Sequence, residues 1–121
     1  MNNEELKPKT LDEIRKNVIL NLKYIYDPEI PVNIYDLGLI YDIQFKIENN
    51  YTFCSIRMTL TSPGCPVADQ ILSEVHFYTI GIAEIDEVDI DLVFDPPWDS
   101  SHVSQEGRDI LELEGTIIPQ Y

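Results

Sequence analysis

Apolar positions along the chain change period three times. Leu11, Ile14, Val18, Leu22 and Ile25 recur at helical spacing and give one apolar face. Thr10-Leu11-Asp12-Glu13 has the form of a capping box, so a helix is predicted to start there. Pro28 disfavours the helical conformation at Asp27, which places this helix at about 11–26. From Leu39 the period becomes two. Leu39, Tyr41, Ile43, Phe45 and Ile47 share one face of a strand, while Asp42, Gln44, Lys46 and Glu48 share the other. Asn49-Asn50 tolerates the positive φ angles of a two-residue turn, and Cys54, Ile56, Met58 and Leu60 form the apolar face of the returning strand. Such a turn fixes the register: Phe45 opposite Cys54, Ile43 opposite Ile56, Tyr41 opposite Met58, Leu39 opposite Leu60, and Asp42 opposite Arg57 as a cross-strand charge pair.

Val67, Ile71, Val75 and Tyr78 then mark a second helix, with Pro66 suited to its first position and an end near Gly81. Val88, Ile90, Leu92 and Phe94 alternate with Glu87, Asp89, Asp91 and Val93, a third strand predicted to stop at Pro96-Pro97. The strand, helix, strand series implies a right-handed crossover with the third strand parallel to the second. Residues 100–113 read as a last short helix, weakened by Gly107. The expected fold is therefore α+β in two layers, ordered α-β-β-α-β-α, with a small mixed sheet containing one antiparallel hairpin. Residues 1–9 read as a mobile polar leader, 10–113 as a single domain and 114–121 as a C-terminal tail.

Composition narrows the function. At 121 residues and 44% hydrophobic content the chain can form one core. Its formal charge of -14, from 8 basic and 22 acidic residues, would repel a phosphate backbone or an anionic membrane, so neither nucleic acid nor membrane is an expected partner. Basic proteins or metal ions suit it better, although a solvated acidic surface also accounts for the charge. No apolar run is long enough to span a bilayer and the N-terminus lacks a signal-peptide pattern, so a cytoplasmic location and reduced thiols are expected. Cys54, Cys65, His76 and His102 are too few and too dispersed for a closed zinc site, and both histidines read as incidental.

The two cysteines fall in different settings. Cys54 belongs to the inward face of a strand, where a thiol behaves as a small hydrophobe. Cys65 lies between Pro63-Gly64 and Pro66, at the cap of the second helix beyond a strand end. A helix N-terminus favours an anion by ~0.3–1 kcal/mol, which lowers a thiol pKa by less than one unit, and Asp69 opposes the effect. Spacing alone leaves Cys65 open between a functional thiol and a structural cap. The loop Asp27-Pro28-Glu29 to Asp36 carries three carboxylates on a proline-stiffened path. These could ligate a metal or a partner's basic side chain, or Asp27 and Asp36 could bond to nearby backbone amides. Trp98, after Pro96-Pro97, suits either a core lid or an exposed contact anchor. Phosphate-loop, nucleophile-elbow and His-Glu-x-x-His signatures are absent.

Taken in order, Asp27-Pro28-Glu29 through Asp36-Leu37-Gly38-Leu39-Ile40-Tyr41, then Met58-Thr59-Leu60-Thr61-Ser62-Pro63-Gly64-Cys65-Pro66, then Phe94-Asp95-Pro96-Pro97-Trp98, strongly resemble one family. It is the iron–sulfur cluster assembly family that includes SufT-type bacterial proteins, PaaD-type proteins of phenylacetate metabolism and eukaryotic cytosolic targeting subunits. The resemblance spans about residues 10–113 and implies a non-enzymatic accessory role in cluster assembly or delivery, with Cys65 as the functional thiol. It implies a transient iron–sulfur cluster or iron as the only cofactor, bound through Cys65, and loops sharing one sheet edge would let Glu29 or Asp36 approach that thiol as further candidate ligands. Asp27, Thr61, Ser62, Pro63, Gly64 and Pro66 would support that site, and Trp98 would contact a partner. One cysteine cannot supply the four ligands a cluster normally has, so a dimer mate, a client or a small thiol must complete it. Expected partners are the assembly machinery, client apo-proteins and a second copy. The cysteine-rich extension of PaaD-type members and the phosphate loop of ATPase-fused members are both lacking. Two other readings stand beside this one: an adaptor using the Asp27–Asp36 loop and Trp98, and a thiol enzyme with Cys65 as nucleophile. All three segments are expected to converge on one edge of the sheet, because the second and third strands end on the side where the first begins.

Overall fold

A computed structural model describes residues 10–28, 30–61 and 68–113. The expectations for the leader 1–9, Glu29, residues 62–67 and the tail 114–121 lie outside these described residues. Helix α1 (Leu11–Leu22) is capped by Thr10, whose hydroxyl accepts the Glu13 amide at 3.2 Å. Ile14, Val18 and Leu22 are buried, while Leu11, in the first turn, is exposed. The helix ends four residues before the predicted boundary. Tyr24 and Ile25 donate to Asn21 and Leu22, tightening the exit into i to i−3 turns that still bury Ile25.

Strands β1 (Ile40–Glu48) and β2 (Tyr51–Met58) form the hairpin, with Asn49 and Asn50 at φ 50° and 63°. Such angles suit the mirror-image turn whose twist matches the strands. The predicted register holds from Asp42–Arg57 through Phe45–Cys54 to Glu48–Tyr51. It fails at Tyr41. Ile40, not Tyr41, faces Met58, so Tyr41 is the extra residue of a bulge and the Leu39–Leu60 pairing is not made. The bulge re-aims the tyrosine: its hydroxyl donates to the Pro96 carbonyl at 2.7 Å and its ring meets His102 edge-on. That partner comes from a segment 55 residues away, which strand periodicity cannot register.

Helix α2 (Ala68–Ile80) buries Ile71, Val75 and Thr79, and ends before Gly81 as expected. Strand β3 (Glu87–Leu92) runs parallel to β2, giving the order β1-β2-β3. It ends before the predicted Phe94, which is exposed. The last helix predicted over 100–113 is split into a 3-10 turn at Ser100–His102 and helix α3 (Gln105–Leu113). Ile43, Cys54, Ile56 and Met58 on one sheet face join Ile14, Val18, Leu22, Ile71 and Val75 in a single core. Asp42, Gln44, Lys46, Arg57, Glu87, Asp89 and Asp91 line the other face and are all exposed. The result is two layers, one helical and one a mixed sheet with a solvated outer face.

Candidate functional site

The loop from Asp27 to Gly38 is built by short polar side chains that replace backbone partners. Asp27 accepts the Ile30 amide at 3.2 Å, and Asn33 Oδ1 accepts the Asp36 amide at 2.8 Å. Both are Asx-type turns, the structural alternative open to these residues on sequence grounds. The loop is sewn to the end of α1 by Ile34 N–H donating to Ile25 O.

From this loop two carboxylates reach other segments. Asp27 Oδ2 accepts the Thr61 hydroxyl at 3.3 Å, fixing the end of the chain path that leaves β2 toward Cys65. Asp36 faces the C-terminal segment: Oδ2 accepts from Asn33 Nδ2 at 2.7 Å, Oδ1 from the Ser104 hydroxyl at 2.9 Å, and its carbonyl from the Ser104 amide at 2.7 Å. Asp36 is buried, and both of its oxygens serve the fold. Of the two roles the sequence left open to Asp36, metal ligand or structural bonding, the described contacts are of the structural kind. Glu29, the third carboxylate, lies outside the described residues.

Ser104 was not anticipated. Its hydroxyl also accepts the Gly107 amide at 3.1 Å, so it caps α3 while gripping Asp36. Serine ahead of Gln105-Glu106 is a readable cap signal, but its long-range partner is not. Leu37 O accepts Trp98 Nε1–H at 2.6 Å, and Trp98 is 3% exposed. The side chain is therefore a core lid, and the expectation of an exposed contact anchor is corrected. Gly38 sits at φ 82°, and a Cβ there would lie 2.2 Å from His102 O. Only glycine admits this approach. His102 thus contributes its backbone to the contact, and its ring accepts the Asp99 amide.

The described parts of the three segments lie together: Asp27 meets Thr61, Leu37 meets Trp98, and a cavity of about 160 Å3 lies between Thr59–Thr61 and Phe94, Pro97, Trp98 and Asp99. Cys65, Ser62, Pro63, Gly64 and Pro66 lie outside the described residues, so the distance from the Cys65 sulfur to a carboxylate does too. At the rim, Ser101 donates its amide and hydroxyl to Asp99, holding that carboxyl below its ordinary value. Burial, helped by Asp99 and Asp95, raises the Tyr41 phenol. Cys54 is 1% exposed, and burial pushes its thiol up to about 11, with the Arg15 guanidinium opposing. It is inert at neutral pH. Among the described residues no group of three or more His, Cys, Asp or Glu side chains is placed to hold a metal ion.

Residues 15–92 match the family described as iron–sulfur cluster assembly protein. The chain is 40% identical over 113 residues to the Fe-S protein maturation auxiliary factor of Porphyromonas gingivalis, covering 93% of this chain and 97% of that one. It is 36% identical over 81 residues to the Fe-S protein maturation auxiliary factor SufT of Staphylococcus aureus, covering 67% and 89%. A solved domain of unknown function from Bacillus anthracis superposes with a TM-score of 0.73 at 35% identity, covering 84% and 94%. With more than half its length matched by the family model and near-complete overlap with a relative at 40% identity, the chain belongs to the iron–sulfur cluster assembly protein family.

Proposed function

We propose that this protein is an accessory factor in iron–sulfur cluster assembly, delivering iron or a cluster to client apo-proteins with Cys65 as its working thiol. The observation that carries the choice of residue is the state of the other cysteine. Cys54 is enclosed among core side chains with its thiol pushed up to about 11, which leaves Cys65 to provide a thiolate near neutral pH. The accessory role is supported by relatives named as maturation auxiliary factors, one of them overlapping nearly the whole chain. Such a factor passes cargo on and catalyses no conversion of a small molecule.

The described geometry supports a division of labour around this thiol. Asp27 and Thr61 fix the chain just past β2, four residues before Cys65, and Trp98 closes the core against Leu37. With Asp36 committed to Ser104 and Asn33, a carboxylate ligand contributed by this loop would come from Glu29. A second copy, a client or a small thiol would complete the cluster's ligands. The adaptor reading loses support, because Asp27, Asp36 and Trp98, the contacts it relied on, are buried.

Anaerobic reconstitution with ferrous iron and sulfide tests the proposal. The wild type and Cys54→Ala are expected to develop cluster absorption and to activate an apo-client, whereas Cys65→Ser is expected to do neither while keeping its melting temperature. Equal cluster loading by Cys65→Ser would overturn the role of this thiol.

A further inference from the structure

Both long helices end at the same place, and they end on aromatic rings. Tyr24 follows the last turn of α1, while Phe77 and Tyr78 belong to the last turn of α2. Tyr24 stacks on Tyr78 with centroids 6.2 Å apart, and Tyr78 meets Phe77 edge-on at 5.5 Å. Asn21 Nδ2 donates to Tyr78 O at 3.0 Å, tying the two helix ends together. The three rings form one ordered row, yet Tyr24 is 71% and Phe77 69% exposed. Contiguous exposed aromatic surface on a chain that has otherwise built its core marks a contact face.

The charge around the row decides what would cover it. Two helix C-termini converge here, each carrying about half a negative charge, and neither last turn contains a basic residue. Lys23, beside Tyr24, is engaged over the Tyr35 ring at 5.5 Å. Glu74 lies one turn before Tyr78, and the chain carries -14 overall. Aromatic faces and helix C-termini both attract cations, and guanidinium groups suit such rings best. A second copy would bring a like charge to the same face, so self-association is disfavoured.

We propose that the Tyr24–Tyr78–Phe77 row is a docking face for a basic amphipathic segment of a partner protein, its arginines lying over the rings. This goes beyond the cluster-delivery reading and does not depend on Cys65, so either can fail without the other.

The test is an NMR titration of 15N-labelled protein with a synthetic peptide bearing leucines on one helical face and arginines on the other. Saturable amide shifts are expected at Asn21, Tyr24, Phe77 and Tyr78. Tyr24→Ser/Phe77→Ser, whose positions are exposed and leave the fold intact by circular dichroism, is expected to weaken binding about tenfold. Replacing the arginines by citrulline is expected to abolish saturation. The proposal is overturned if the wild type does not bind, if the double variant binds equally well, or if the citrulline peptide binds as tightly. It is overturned equally by a wild-type dimer that the double variant dissolves, which would assign the face to a second copy.

Discussion

Cys54 and Cys65 share a side chain and differ in everything around it. A thiol among Ile56, Met58 and Ile43 loses its water, so the folded protein holds the Cys54 proton more tightly than the unfolded chain, whose ordinary value is 9.0. A group with a raised folded pKa stabilises fully below its unfolded pKa, and that contribution is lost as pH rises toward about 11. Stability is therefore expected to fall by up to ~3 kcal/mol across this alkaline window and to fall less in Cys54→Ala, measured by urea unfolding at stepped pH. At neutral pH the same substitution is expected to cost on the order of 1 kcal/mol, from the small cavity it leaves. Iodoacetamide labelling with peptide mapping is expected to modify Cys65 well before Cys54 in the native protein. Faster labelling of Cys54 would reverse the assignment of the two thiols.

Among the elements, the hairpin was the most legible because everything that specifies it is local. Two asparagines accept positive φ, and alternation places Ile43 on Ile56 and Phe45 on Cys54. The bulge at Tyr41 and the role of Asp36 were not legible, since each depends on a partner from the C-terminal segment: Pro96 for the phenol, Ser104 for the carboxylate. Gly107 shows the same limit. On propensity it looks like a weak point of α3, yet a Cβ there would come within 2.8 Å of Val103 Cγ1 and 3.2 Å of the Asp36 carbonyl. Gly107→Ala gains about 1 kcal/mol of helix propensity and loses the close seat of α3 on the Asp36 loop. The backbone contact cannot rotate away, so a net loss of stability is expected, with faster amide exchange across Gln105–Leu113. Asp36→Ala is expected to cost about 2–4 kcal/mol, because it strands the buried Asn33 amide and the half-buried Ser104 hydroxyl together. A thermal melt within about 1 kcal/mol of wild type would show that the latch is dispensable.

Over the whole molecule, two electrostatic effects compete and their magnitudes decide the sign of the salt response. Among the described residues, attraction is represented by Lys46–Glu48 at 3.4 Å and Arg57–Asp91 at 3.5 Å, pairs whose side chains are more than half exposed. Exposed pairs of this kind contribute ~0–1 kcal/mol each, and salt removes much of that. Repulsion comes from 22 acidic residues set against 8 basic ones in a chain of 121. On β3 the outer face presents Glu87, Asp89 and Asp91 at alternate positions, with Arg57 of β2 beside Asp91. At low ionic strength the Debye length exceeds the spacing of neighbouring surface charges, so the excess acts as a self-repulsion that unfolding relieves. Screening it should gain more than is lost from two exposed pairs. Raising sodium chloride from about 20 mM to about 0.3 M is therefore expected to raise the melting temperature by on the order of a few degrees. Chloride is the appropriate anion, since sulfate would add a burial effect unrelated to charge. Asp89→Lys, facing Ser55 on the solvated sheet face, is expected to raise the low-salt melting temperature and to flatten the salt response. A melting temperature that falls with added chloride in the wild type would mean that the exposed pairs dominate, and the surplus of negative charge would then cost the fold nothing.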